Sequence, residues 1–141
     1  MTARTRRSIL PALTAFALLA AAGCGSGKVP LAGEVSYDGQ PIDEGTITFV
    51  SPTEDDAAGK PSARIEGGKY KFDKDTGPAP GKYKVQITWL KKSGQKVSTG
   101  DGEVRDDKVN VLPAKFNTQT TLKAEVKSGS PKMDFPLKST D

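Results

Sequence analysis

Past position 28, apolar side chains recur at every second residue along most of the chain. Val29, Leu31, Gly33, Val35 and Tyr37 alternate with other residues and predict a first strand. Asp38-Gly39-Gln40-Pro41 then reads as a turn, because Asp and Gly tolerate positive φ and Pro presets its own. Thr46–Val50 predicts a second strand with Ile47 and Phe49 on one face, and Ser51–Pro61 a polar surface loop. Ser62–Glu66 and Lys69–Asp73 predict a hairpin across Gly67-Gly68, with Ala63, Ile65, Tyr70 and Phe72 in phase. After the Pro/Gly connection Asp75–Gly81 comes Lys82–Leu90, the strongest strand signal in the chain. Tyr83, Val85, Ile87 and Trp89 share one face and Lys82, Lys84, Gln86 and Thr88 the other; that spacing would scatter round a helix. Leu90 breaks the alternation and predicts the end of the strand. Lys91–Phe116, with its valines scattered among charges and glycines, reads as a long loop holding one short strand or helical turn. Thr120–Val126 predicts a sixth strand, with Leu122, Ala124 and Val126 inward. Ser128-Gly129-Ser130 turns the chain, and Lys132–Leu137 closes it with Met133, Phe135 and Leu137 in phase. Short strands with Gly/Pro turns and no amphipathic helix predict an all-β antiparallel sandwich of about seven strands.

The N-terminal segment has a different character. Met1–Ser8 is basic, and Ile9–Ala22 is mostly apolar, broken only by Pro11 and Thr14. It is too short for a hydrocarbon core, which needs about 20 helical residues. It ends in Ala20-Ala21-Ala22-Gly23 before Cys24, so residues 1–23 predict an export signal. Residues 24–28 form a short tether, and 29–141 are expected to form one β domain.

Composition narrows the chemistry. The chain of 141 residues has 21 Lys+Arg against 17 Asp+Glu, but Arg4, Arg6 and Arg7 lie in the export signal, which has no acid. The processed chain is close to neutral, and a nucleic-acid partner is not expected. There is no histidine, and Cys24 is the only cysteine. Ser-His-Asp and Cys-His catalysis, Cys/His zinc and an intramolecular disulfide are excluded. No cofactor and no metal are expected, and no residue is singled out as catalytic.

Two resemblances follow. Leu19-Ala20-Ala21-Ala22-Gly23-Cys24 resembles a bacterial lipobox, with Ala21 where Leu is usual, which implies that Cys24 is diacylated and becomes the mature N-terminus. Two or three acyl chains, at about 0.8 kcal/mol per buried methylene, hold a protein firmly to a membrane. Gly25 after the cysteine, in place of the Asp that favours inner-membrane retention, implies the outer membrane. Thr5-Arg6-Arg7-Ser8-Ile9-Leu10 also resembles a twin-arginine motif, and a plain basic n-region is the alternative. The runs Gly33–Ile42, Gly45–Phe49, Gly68–Phe72 and Pro80–Val85 resemble the carboxypeptidase regulatory-like domain, within the transthyretin-like (prealbumin-like) sandwiches. Leu112–Asn117 and the last strands are similar to small planctomycete-type lipoproteins of that class. The resemblance implies a Greek-key sandwich and a non-catalytic accessory role. Its hydrolase branch uses histidines, which this chain lacks.

The remaining groups suit bland roles. Asp101, Glu103, Asp106 and Asp107 crowd one stretch, without the EF-hand pattern, and read as a solvated loop diluted by Arg105 and Lys108. Lys82, Lys84, Lys91 and Lys92 make a mildly basic face, suited to anionic headgroups or acidic polysaccharide, or simply to protecting an edge. The expected partners are a membrane, through lipid on Cys24, and another envelope protein or a polysaccharide. A carbohydrate-binding alternative needs an exposed aromatic platform, whereas the phase of Trp89 predicts a ring turned into the core.

Overall fold

Each period-two segment becomes a strand wherever one of its faces finds the core. The computed structural model describes residues 27–52, 59–129 and 132–140; residues 1–23, expected to be an export signal, and Cys24 lie outside them. The strands are β1 (Leu31–Tyr37), β2 (Gln40–Pro41), β3 (Glu44–Val50), β4 (Ser62–Glu66), β5 (Lys69–Phe72), β6 (Gly81–Ser98), β7 (Val104–Asn110), β8 (Lys123–Val126) and β9 (Phe135–Leu137). A 3-10 turn covers Ala114–Phe116.

The sheet order is β2-β1-β5-β4-β3-β6-β7, with β8 also on β6 and β9 also on β1. β3, β4 and β5 are successive antiparallel neighbours, and β6 returns to lie beside β3. That order is a Greek key. Two strands change partners along their length and curl the sheet. β1 pairs with β5 over Leu31–Glu34, then with β9 and β2 over Val35–Tyr37. β6 pairs with β8 at its start, with β3 along its middle and with β7 from Leu90 onward. Asp38-Gly39 and Gly67-Gly68 take positive φ at both positions, which suits the tight turns they make.

The core is one cluster that includes Leu31, Val35, Ile47, Phe49, Ile65, Val85 and Ile87, all buried. All the aromatic rings of the described residues join it, Tyr37 only partly buried. Phe49 sits at its centre, edge-on to Phe72, Tyr83 and Phe135 at 5.6–6.3 Å. Such pairs stabilise by about 0.5–1.5 kcal/mol each beyond the area they bury.

The chain departs from the sequence reading in three places. Lys91–Phe116 is mostly strand, where a long loop holding one short strand or helical turn was expected. β6 runs past Leu90 to Ser98, and β7 returns antiparallel beside it. Lys91–Ser98 and most of β7 are exposed, so both faces of this arm are largely in water and no apolar alternation marks it. A register shift between Lys92 and Lys96, with Gly94 at φ +84°, sets the two halves of the arm. The second departure is β9, which runs parallel to β1 where an antiparallel strand was expected. The third is strand length, with β8 starting at Lys123 instead of Thr120. Thr120 is held by its own hydroxyl, which donates to Val85 O at 2.5 Å.

Candidate functional site

Three regions carry the groups singled out by the sequence: the Trp89 end of the core, the β6–β7 arm, and the lysine face of β6.

At Trp89 the alternation of β6 turns the indole inward, and the residue is only 6% exposed. The indole Nε1–H donates to Asp43 Oδ1. That bond holds the Asp43 carboxyl below the ordinary carboxylate range, with its own and the Glu44 backbone N–H groups adding to the effect. Lys91 Nζ lies 4.0 Å from the ring centroid, and Tyr37 packs edge-on at 6.2 Å. Tyr37 also meets Phe116 edge-on at 6.0 Å. The backbone is pinned as well. Asn110 Oδ1 accepts from Trp89 N–H at 3.0 Å, and Val111 N–H donates to Trp89 O at 2.9 Å. The ring therefore lies in the core, as its phase predicted, and offers no open face for sugar stacking. Asp43 and Asn110 were not singled out by the sequence reading. Both are short polar residues at turn-like positions, and only the fold brings them to Trp89.

Nearby, Asn117 is buried and its side chain is fully used. Its Nδ2 donates to Leu112 O and Pro113 O, and its Oδ1 accepts from Thr118 N–H. Tyr70 is another satisfied core group, donating to Met133 O at 2.6 Å. Burial, with the Asp134 charge second, pushes its phenol well above the ordinary range.

On the arm the acids are occupied within the hairpin. Asp101 Oδ1 accepts from Thr99 Oγ1–H and from Glu103 N–H. Glu103 receives the Arg105 guanidinium at 2.7 Å. Asp106 pairs with Lys92 at 2.6 Å, and Asp107 accepts from Ser93 Oγ at 2.8 Å. Among the described residues no three His, Cys, Asp or Glu side chains converge as a metal site would require. The arm also carries the exposed large apolar side chains: Val97, Val104, Val109 and Val111, 43–62% exposed.

The lysines divide by phase. Lys82 and Lys84 face outward and stand opposite Glu125 and Lys123 on β8, with Tyr83 and Ala124 between them. Lys91 instead lies on the indole, and Lys92 is engaged by Asp106. The basic face is therefore smaller than the sequence suggested. Lys84 against Lys123 is its one like-charge pair across neighbouring strands of that face.

The predicted lipidation residue Cys24 lies outside the described residues, but the point where the chain reaches the fold is defined. Lys28 Nζ donates to Asp75 O at 2.7 Å, and Val29 N–H donates to Pro78 O at 2.9 Å. That connection leads straight into Gly81, the first residue of β6. The 18 residues of β6 then run away from it, roughly 60 Å if straight. Comparison with family models, curated proteins and solved structures gave no match.

Proposed function

We propose that this protein is a lipoprotein of the cell envelope, held by acyl chains on Cys24, whose β domain is a non-catalytic accessory or protein-interaction module. The observation that carries the reading is the run Leu19–Gly23, ending on the only cysteine behind a basic start and a short apolar segment. The placement of Lys28 and Val29 supports it: the tethered end of the sheet lies opposite the β6–β7 arm, so a short tether leaves the arm free to reach a partner. A relation to the carboxypeptidase regulatory-like domains belongs to the same proposal, and the Greek-key order is compatible with it at the level of fold. The outer membrane, reached through a signal without Asp after the cysteine, is the proposed location.

Cells grown with a labelled fatty acid test the anchor. The wild-type protein is expected to carry label and stay with the membrane fraction, and Cys24→Ser to lack label and retain its signal. An unlabelled, freely soluble wild-type protein overturns the reading.

A further inference from the structure

We propose that the open edge of β7 pairs with the β7 of a second copy of this chain, forming a two-fold dimer through one continuous sheet. β7 ends the strand order, and among the described residues no strand lies on its far side. The phase of its main chain is fixed by two bonds to β6: Thr99 N–H donates to Glu103 O and Val111 N–H to Trp89 O. Odd-numbered residues of β7 thus direct their main-chain groups at β6. Val104, Asp106, Lys108 and Asn110 direct theirs at the open edge. An antiparallel neighbour must match outward residues with outward residues, which limits the registers a second copy can adopt.

One of these registers overlaps the strand from end to end. It places Val104 opposite Asn110 of the second copy and Asp106 opposite Lys108 of the second copy, with Asp107 of both copies meeting on the axis. By the two-fold symmetry each match occurs twice. Asp106 already pairs with Lys92 at 2.6 Å, and Lys108 with Glu44 at 2.5 Å. The dimer would extend these into a row of alternating sign: Lys92, Asp106, then Lys108 and Glu44 of the second copy. On the other face Val109, an exposed valine, comes opposite the aliphatic stem of Arg105. The Asp107 pair is the one like-charge contact, flanked diagonally by both Arg105 side chains. Edge charges usually discourage pairing. Here the full-overlap register matches Asp106 and Lys108 to each other, so the same charges that repel unrelated edges accept this one.

The test is the mass of the full chain in mild detergent, measured by light scattering, together with a cysteine scan. Wild-type protein is expected to run as a dimer. Lys108→Glu sets two acids against each other across the axis and should weaken the dimer roughly tenfold or more. Adding Asp106→Lys in the same chain restores opposite charges across the interface while spoiling the Lys92 and Glu44 pairs within each copy. Rescue by the double variant therefore requires the intermolecular contact. Asp107→Cys should form a disulfide joining position 107 of both copies, whereas Val104→Cys should not, because those positions lie about 20 Å apart in this register. A monomeric wild-type chain at high concentration overturns the proposal. So does a dimer that ignores Lys108→Glu, a double variant no better than the single one, or cross-linking at 104 in place of 107. If Lys108→Glu loses its β spectrum, the cysteine scan decides alone.

Discussion

Replacing Trp89 with alanine probes the end of the core where β6 leaves the domain. The indole is 6% exposed, so nearly all of its surface is removed from water. A buried tryptophan contributes on the order of 150–250 Å², which at about 25 cal/mol per Å² is about 4–6 kcal/mol as an upper bound. The edge contact with Tyr37 adds about 0.5–1.5 kcal/mol. Lys91 over the ring adds about 0.5–1 kcal/mol, since its ammonium remains in water. Two effects reduce the sum. The ring lies at the rim of the core, and its neighbours Asp43 and Lys91 are exposed, so the vacated volume can admit water or collapse. The Asp43 carboxylate also regains solvent when its donor is lost. The expected cost of Trp89→Ala is therefore about 3–5 kcal/mol, in line with large-to-small changes at buried aromatic sites. Urea denaturation followed by circular dichroism reads it directly, because the variant has no tryptophan to report. The wild-type chain should show blue-shifted emission that acrylamide quenches weakly and that added polysaccharide does not change. A loss below about 1 kcal/mol, or saturable quenching by a sugar, would refute the burial argument and favour an exposed stacking platform.

Gly45→Ala should destabilise the domain by about 1–3 kcal/mol or more, read as a lower denaturation midpoint, since a Cβ there would lie 2.0 Å from Thr88 O and force β3 away from β6; an unchanged midpoint would mean that the two strands are farther apart than described. The Asp43 carboxyl titrates below the ordinary carboxylate range when folded, so its contribution is present above that range and is lost as pH falls through the lowered value. Trp89 emission should therefore change in that acid window and stay flat there in Asp43→Asn; equal acid responses in the two proteins would show that the bond does not govern the indole.

What the sequence made legible was whatever lies against the core. Tyr83, Val85, Ile87 and Trp89 announced β6 because one face of that strand is buried and the other wet. Phe49, Phe72 and Phe135 were placed inward by the same period, and the structure packs them on one another. The arm was illegible for the same physical reason. Beyond Leu90 both faces of β6 meet water, so side-chain polarity carries no record of the ladder that Lys91–Ser98 makes with β7. Leu90 itself looked like a stop because it adds an apolar residue on the outer phase. It is half-buried, stands opposite Asn110, and the strand runs through it. The direction of β9 was hidden too, since a period of two is the same whether a strand runs up or down. Of the site residues, Trp89 could be placed by phase alone. Asp43, Asn110 and Asn117 could not, because a short polar residue at a turn gives no sign of which distant group it will meet.

If Cys24 carries the proposed lipid, the tether and the arm leave the sheet at opposite ends of β6, and that geometry restricts how an anchored dimer could sit. A two-fold axis through β7 sets the two copies antiparallel, so their Lys28 ends lie at opposite extremes of the continuous sheet. The tether Gly25–Lys28 spans at most about 14 Å when fully extended, far less than the length of β6. Two upright arms rooted in one leaflet would run parallel, and their β7 edges could not meet in the antiparallel register. Arms lying along the membrane can meet, with both lipids in the same leaflet and the Lys82–Lys84 face or its reverse turned toward the headgroups. A cross-link through Asp107→Cys, formed by the acylated chain on vesicles, would therefore fix the orientation of the strands as well as the dimer, because only the flat arrangement lets two copies on one surface bring position 107 to the axis.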